Sequence, residues 1–291
     1  MSFYISNRQT SEAMARNTPQ VPVLLERPET GLQHRIYPEE FDLSFLMVDS
    51  YELTNRDRVT LYYPIIPGPC PSLFFKFNQN TASGGFCGMT TVLKKISLPP
   101  QHTLFCVRLQ PGTAGYLSNH SAKLLTNSCL SIENYFCRTA LLLNQLRTGE
   151  SFHERNVRIH QYIKALMADS SWRPMPIIKL CFDYMKEAGG DIQVSKLAEL
   201  VGCSDRYLCR VFQEHVGSSL KLCCEIEKMQ HSLNDILTTR PKSLIQVALR
   251  HGYFDQPHMN RAYQKLLGRT ASDMRFFDET SCYTNSIPII F

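Results

Sequence analysis

The chain has 291 residues, of which 43% are hydrophobic and 20% charged, and its formal net charge is +5. This length suffices for two or three packed units, and the composition excludes a largely disordered chain. No apolar run approaches the ~18 residues that span a bilayer. The N-terminus lacks the basic and apolar regions of a secretory signal. We therefore expect a cytoplasmic protein with no membrane partner.

Cysteine and histidine spacing bears on metal and redox chemistry. The eleven cysteines include no C-x-x-C pair, and the nine histidines include no H-x-H or H-E-x-x-H spacing. Zinc sites, redox dithiols and metalloenzyme centres commonly carry such spacings, so we predict no metal, no cofactor and no enzyme activity. Cys106 and Cys181 stand among apolar neighbours, where cysteine serves as a small buried hydrophobe. That usage suits a reducing compartment.

The first part of the chain is predicted to be β-rich. Residues 1–31 are a polar lead-in that contains three prolines. Short β-prone runs follow, with Gly- and Pro-rich separators such as Gly84-Gly85 and Pro111-Gly112 between them. The runs are Asp42 to Val48, Arg58 to Ile66, Leu73 to Phe77, Met89 to Ile96 and Leu104 to Leu109. Their intervals favour an antiparallel sandwich or small barrel. Residues 1–118 are therefore predicted to form a β-rich domain, and we hypothesise that this domain senses a signal.

Residues 119–176 are predicted to be a helical connector. Apolar residues near helical spacing run from Leu124 to Leu146, and a second amphipathic stretch extends from His153 to about Ala168. Two prolines within Ser170 to Pro176 mark a linker. The apolar stripes are compatible with self-association or with an ordinary core.

The segment from 191 to 217 has the spacing of a helix-turn-helix, in which a second helix enters the major groove of DNA. Val194, Leu197, Ala198 and Leu200 give the first helix a buried face, and Gly202 ends it. Ser204 is the predicted N-cap of the second helix, which Gly217 closes. Its exposed face carries Arg206, Tyr207 and Arg210, and arginine is well shaped for guanine edges.

The same pattern returns from Ser243 to Gly268. Ile245, Val247, Ala248 and Leu249 make the first helix, Gly252 the turn, and Phe254 or Asp255 begins the second helix. Pro257 is tolerated in the first turn. Gln256, His258, Asn260 and Arg261 form the exposed face.

One continuous helix is predicted from about 219 to 238 between the two units, because this stretch lacks glycine and proline and carries a 3-4 apolar stripe. About 20 residues span ~30 Å, close to the ~34 Å of one duplex turn. The spacing therefore predicts two helices entering successive major grooves on one face of DNA.

The last ~90 residues resemble the AraC/XylS family of bacterial transcription regulators. The resemblance rests on Leu208-Cys209-Arg210-Val211-Phe212 in the first unit and on GYFDQPHMNRAYQKLLG, from Gly252, in the second. The upstream stretch from Val107 to Gly112 is similar to a subgroup with a β-rich N-terminal domain. The resemblance implies an α+β protein: a β-rich barrel or sandwich, a helical connector and an all-α double helix-turn-helix domain at 177–291.

The resemblance also implies partners and base-reading positions. The expected partners are double-stranded DNA, RNA polymerase, a small-molecule effector of unknown identity and a second copy of the chain. The implied reading positions are Arg206, Cys209, Arg210, Gln256, Pro257, His258, Asn260 and Arg261. Cys209 and Pro257 cannot make bidentate base contacts. Lys228, where the family usually has arginine, and Ala271, where Thr-Pro is typical, are further departures.

Several alternatives stay open. An exposed arginine is ordinarily part of a solvated helix face, and residues 191–275 carry only twelve Lys plus Arg against nine Asp plus Glu. His258 is as compatible with packing as with DNA contact, and Arg108 is compatible with an effector contact or, preferably, a structural ion pair. A co-regulator that binds protein instead of DNA is the main alternative function.

Overall fold

The computed structural model describes residues 32–38, 40–118, 121–134, 136–168 and 175–275. The predicted lead-in and nearly all of the predicted linker from Ser170 to Pro176 lie outside these residues. No helix within the described ranges combines the length and the apolar character needed to cross a membrane.

The N-terminal half is built on antiparallel strands, as the sequence predicts. The strands are β1 Gln33–Ile36, β2 Met47–Thr54, β3 Leu61–Ile65, β4 Ser72–Phe77, β5 Ala82–Cys87, β6 Lys94–Leu98, β7 Thr103–Leu109 and β8 Cys129–Ser131. Six of them form one sheet in the order β1-β2-β7-β4-β5-β8, and β3 pairs with β6. In β4 the side chains alternate strictly between half-buried and buried, the period-2 pattern that identifies it from sequence.

Predictions about the strands were wrong in three places. The run from Met89 to Ile96 becomes a strand only at Lys94. The run from Asp42 to Leu46 forms turns, with backbone bonds such as Leu46 N to Leu43 O at 2.9 Å. The buried residues Leu43, Leu46 and Met47 have a three-four spacing instead of a spacing of two, and Val48, the last residue of the predicted run, is buried within β2. Gly84 and Gly85, predicted as a separator, lie inside β5.

Glycine is required at Gly84 and Gly85 because aromatic and aliphatic side chains of neighbouring elements occupy the space of a side chain. A Cβ on Gly85 would lie 2.3 Å from the ring of Phe74, and one on Gly84 would lie 2.8 Å from Ile132. Glycine in a strand often marks such close approach.

The helices that follow the strands pack on the large sheet. They are α1 Ala114–Ser118, α2 Ala122–Leu125, α3 Thr139–Thr148 and α4 Phe152–Ala168. Leu142, Leu146 and Ile159 share a hydrophobic cluster with strand residues such as Phe75 and Phe105. The stripes of the predicted connector therefore serve the core of the β-rich part. Strand β8 interrupts the stretch predicted as helical, because it pairs with β5.

Two buried ion pairs fix the sheet. Arg108 Nε donates to Asp49 Oδ1 at 2.8 Å, and Asp49 is fully buried. Arg155 on α4 bonds both carboxylate oxygens of Glu52 at 3.0 and 3.1 Å. Arg108 therefore forms the structural ion pair that the sequence favoured, and it also lines the cavity described below.

The C-terminal part is all helical. Its helices are α5 Pro176–Glu187, α6 Val194–Leu200, α7 Asp205–Val211, α8 Leu220–Thr239, α9 Leu244–Arg250, α10 Gln256–Leu267 and α11 Ala271–Arg275. A π-helical turn, Phe212–Val216, extends α7. The continuous helix predicted between the two units is confirmed as α8, which has 20 residues. Ile226, Met229, Leu233 and Ile236 of its stripe are buried.

Candidate nucleic-acid interface

The two helix-turn-helix units repeat one local geometry. Helices α6 and α9 have seven residues each. In the first turn, Cys203 N donates to Ala198 O at 3.0 Å, and in the second, Tyr253 N donates to Ala248 O at 2.9 Å. In both units, the residue after the glycine donates to a carbonyl in the last turn of the helix, which is the pattern of a C-terminal cap that depends on glycine. The intervening Gly202 and Gly252 have φ angles of 70° and 71°.

The N-caps follow the same repeat. Ser204 accepts a hydrogen bond from Tyr207 N at 3.3 Å, as the sequence predicts. Asp255 accepts one from His258 N at 2.6 Å, so Asp255 and not Phe254 caps the second helix. Each cap satisfies a backbone donor that the start of a helix leaves unpaired. We call α7 with its π-helical extension, and α10, the reading helices.

The first reading helix exposes the predicted residues. Arg206, Tyr207, Cys209 and Arg210 are all exposed, while Leu208 and Val211 are buried. The guanidinium carbon of Arg210 lies 5.5 Å from the centre of the Tyr207 ring. Within the described chain neither Arg206 nor Arg210 forms an ion pair with a carboxylate, so both guanidinium groups are available to an anionic partner.

In the second reading helix, fewer of the predicted side chains are exposed and without an intramolecular partner than the sequence predicts. Arg261, Pro257 and His258 are exposed, and Gln256 is half-buried. His258 Nδ1 accepts from Phe254 N at 3.3 Å, and its ring meets Tyr253 edge-on with the centres 5.6 Å apart.

Asn260 requires a correction, because it is half-buried rather than part of the exposed face. Its Oδ1 accepts from Ala271 N at 3.1 Å and caps the start of α11. The first-helix predictions also differ, because Leu200, Ile245 and Leu249 are exposed, with Ile245 at 57% and Leu249 at 59%.

Helix α8 holds the two units together through Lys228. Its Nζ donates to Asp191 Oδ1 at 2.6 Å and to Gly252 O at 3.0 Å, and it also lies 5.5 Å from the centre of the Tyr253 ring. Asp191 precedes the first unit, and Gly252 is the turn of the second. A single lysine thus links the segment before the first unit to the turn of the second unit, a role that no sequence pattern indicated.

The β-rich part contacts the reading helices directly. Thr126 Oγ1, after α2, donates to Gly217 O at 2.9 Å at the end of the first reading helix. Leu93 N, before β6, donates to Leu266 O at 2.8 Å in the last turn of the second. Through these two hydrogen bonds, a displacement within the β-rich part can be transmitted to both reading helices.

A cavity of about 440 Å³ lies between the strands and α8. Its walls include Tyr51, Ile96, Leu104 and Cys106 from the strands and Glu227, Gln230, His231 and Leu237 from α8. Gln230 Nε2 donates to Pro67 O at 2.5 Å across the same boundary. The volume falls in the range of small-molecule sites, ~300–1,000 Å³.

Glu227 is the unusual polar group of this cavity. Only 4% of its surface is exposed, and it makes no hydrogen bond or ion pair within the described chain. Burial raises its pKa to about 7, and the charge of Lys186 on α5 opposes that rise only partly. Sequence analysis missed Glu227 because a single carboxylate on an apolar helix face has no spacing signature.

Phe254 is a second missed residue. It precedes the N-cap of α10 and is 86% exposed, the most exposed large hydrophobic side chain within the described ranges. An exposed aromatic at the groove-facing end of a reading helix can contact a thymine methyl group. Only its position beside Asp255 could have indicated this.

Comparison with known families identifies this architecture. Residues 197–275 match a family model described as a helix-turn-helix domain. The C-terminal domain is an AraC-type helix-turn-helix domain. Residues 42–131 match a second model, described as a domain of unknown function, DUF6597. The AraC-type domain thus accompanies a β-rich domain whose family has no assigned role.

Two solved structures show a low similarity to this chain. The C-terminal domain of AraT, a response regulator from Geobacillus stearothermophilus, is 24% identical, covering 40% of this chain and 96% of that one, with a TM-score of 0.34. ToxT from Vibrio cholerae, bound to (E)-4-(8-methylnaphthalen-1-yl)but-3-enoic acid, is 10% identical over 84% of this chain and 98% of its own, with a TM-score of 0.42. No curated protein matches the chain.

Proposed function

We propose that this protein is a sequence-specific DNA-binding transcription regulator that places its two reading helices in successive major grooves. The observation that carries the proposal is the repeated, capped geometry of the two units on either side of one 20-residue helix. A helix of that length spans ~30 Å, which approaches one turn of duplex.

The base-reading residues that we propose are Arg206, Tyr207 and Arg210 in the first unit and Gln256, His258 and Arg261 in the second. Arg206, Arg210 and Arg261 are exposed and unpaired within the described chain. Asn260 is left out because its oxygen is committed to Ala271 N. Without Asn260, each unit offers three candidate base-reading residues, so we infer comparable contributions from the two units.

The test is DNA affinity as a function of salt, measured by fluorescence anisotropy on a duplex selected from genomic fragments with the full chain. We expect a steep loss of affinity as salt rises, and a further loss of ~10-fold or more in Arg210→Ala and Arg261→Ala. Lys265→Ala is the matched control on α10, because Lys265 pairs with Glu225 at 2.6 Å. Equal binding by all three variants and the wild type would contradict the assignment.

We further propose that the cavity between the strands and α8 binds the regulator's effector. It touches both the β-rich part and the helix that connects the reading helices. Its ligand would be a small molecule with an apolar body and a polar group that meets Glu227. Mass spectrometry of small molecules released from the purified chain, compared with a cavity-filling Leu237→Trp variant, tests this. A promoter response that is unchanged in the folded variant would contradict it.

A protein-binding co-regulator is the second candidate function. Ile245 and Leu249, exposed on α9, form an apolar face that no described residue covers. Such a face suits a protein contact, including RNA polymerase. The anisotropy experiment separates the two functions, because a pure co-regulator would select no duplex.

A further inference from the structure

One disulfide joins two distant parts of the β-rich half. Cys87, at the end of β5, is bonded to Cys129, at the start of β8, across 42 residues of sequence, and their Cα atoms are 4.1 Å apart. The two residues are direct partners in the β5–β8 register. The other eight cysteines in the described ranges are free thiols. The expected use of cysteine as a buried hydrophobe holds for Cys106 and Cys181, but not for this pair.

The disulfide lies at the base of the two segments that contact the reading helices. Leu93 lies six residues after Cys87, and its backbone N donates to Leu266 O at 2.8 Å in the second reading helix. Three residues before Cys129, Thr126 Oγ1 donates to Gly217 O at 2.9 Å at the end of the first. We call residues 87–94 and 122–129 together the clamp.

The two arms of the clamp are also bonded to each other. Asn127 N donates to Met89 O at 2.9 Å. Thr91 N donates to Asn127 Oδ1 at 2.8 Å, and Asn127 Nδ2 donates to Thr91 Oγ1 at 2.7 Å. The arms therefore move as one body while they are joined, and that body holds the ends of both reading helices.

The arm formed by residues 122–129 packs tightly against the end of the first reading helix. A Cβ on Gly217 would lie 2.4 Å from Ala122 O in α2. A small displacement of the arm that carries Ala122 and Thr126 would consequently shift Gly217, because a packed contact of this kind cannot absorb it.

Both cysteines are accessible to small reagents. Cys129 is exposed, Cys87 is half-buried, and both border the cavity. An exposed disulfide exchanges with thiols more readily than a buried structural one. Strand β8 has only three residues and pairs with β5 alone among the described strands. Without the disulfide, the base of the clamp would be held by noncovalent contacts alone, such as the hydrogen bond from Gly88 N to Ser128 O at 3.3 Å.

We propose that Cys87 and Cys129 form a reversible oxidation site that sets the DNA affinity of the two reading helices. In oxidation by a peroxide, one thiol attacks the peroxide oxygen and becomes a sulfenic acid, with release of water. The second thiol then displaces the hydroxyl as water, so two thiols and one hydrogen peroxide give one disulfide and two waters. A dithiol reductant reverses the reaction and is itself oxidised to a disulfide.

The oxidised clamp holds the reading helices at a fixed separation and gives the high-affinity state. Reduction opens the base of the clamp, so DNA binding must order it again and becomes weaker. This inference rests on the proposed function, since its readout is binding to DNA.

The experiment compares the full chain treated with hydrogen peroxide and with dithiothreitol, using anisotropy on the selected duplex. Alkylation and mass spectrometry verify the Cys87–Cys129 bond in each sample. We expect at least 10-fold weaker binding after reduction, reversed by peroxide. Cys87→Ser and Cys129→Ser should bind like the reduced wild type under both treatments, while Cys137→Ser, a change at an exposed free thiol, should respond like the wild type.

Two further measurements distinguish an effect of the disulfide on DNA binding from a loss of folding. Circular dichroism checks that the serine variants are folded, and the reduced wild type serves as the same test without any substitution. Hydrogen exchange at the Leu93 amide should be faster after reduction. Equal affinity in the two verified states, or a response that persists in both serine variants, overturns the inference. Absence of DNA binding in both states contradicts the proposed function instead.

Discussion

At the scale of single residues, burial decides which predictions from sequence hold. The exposed arginines of the reading helices were identifiable from helical spacing, because Leu208 and Val211 define the buried side of α7. The hydrogen-bond partner of Asn260 and the burial of Glu227 were not identifiable. They depend on α11 and on the cavity wall, which tertiary packing brings together.

Glu227 predicts a specific pH dependence of stability. Burial raises the pKa of Glu227 to about 7 from its ordinary value of 4.5, so the folded chain keeps this proton at pH values where the unfolded chain has released it. The free energy of unfolding should therefore fall as pH rises from about 4.5 to about 7. The charged or titratable groups that interact with Glu227 are Lys186 on α5, Cys70 beside the strands, and Cys223 and Cys224 on α8.

Glu227→Gln should remove this fall and leave the variant about 3 kcal/mol more stable than the wild type at pH 8, with a small difference at pH 4. Urea unfolding followed by circular dichroism at several pH values measures it. Glu225→Gln, at a half-exposed position on the same helix, should keep the pH dependence of the wild type. A parallel loss in both variants would rule out Glu227 as the source.

At the scale of elements, period and capping explain what sequence could predict. Helices α4 and α8 were predicted within a few residues because their apolar stripes are long. Strand β5 was missed because its two glycines have a low β-propensity. They are needed to make room for Phe74 and Ile132, and local sequence does not show that these side chains pack there. Strand β8 was missed because three residues are too few for a recognisable alternation.

Gly202 and Gly217 provide a matched test of the contact between α2 and the first reading helix. Both have positive φ, 70° and 91°, but a Cβ on Gly202 meets nothing within 4 Å, whereas one on Gly217 lies 2.4 Å from Ala122 O. Gly202→Ala should cost about 1 kcal/mol through backbone strain alone. Gly217→Ala should cost about 3 kcal/mol because overpacking is added.

Chemical denaturation of the two alanine variants measures the difference, and DNA affinity should fall only in Gly217→Ala. Equal destabilisation by the two substitutions would mean that α2 does not constrain the reading helix.

At the scale of the whole molecule, hydrogen bonds and apolar packing join the β-rich half to the AraC-type domain. Gln230 bonds Pro67, Thr126 bonds Gly217 and Leu93 bonds Leu266. The double helix-turn-helix and its connecting helix were predictable from sequence, because each unit carries its own caps and turn. The cavity and the clamp were not, since they exist only where distant segments meet.

The most direct test of the account is hydroxyl-radical footprinting of the full chain on its selected duplex. Two reading helices separated by α8 should protect two major-groove segments on one face, ~10 base pairs apart centre to centre. Arg210→Ala should weaken the protection of one segment and Arg261→Ala that of the other. A single protected segment, or two on opposite faces of the duplex, would contradict the account.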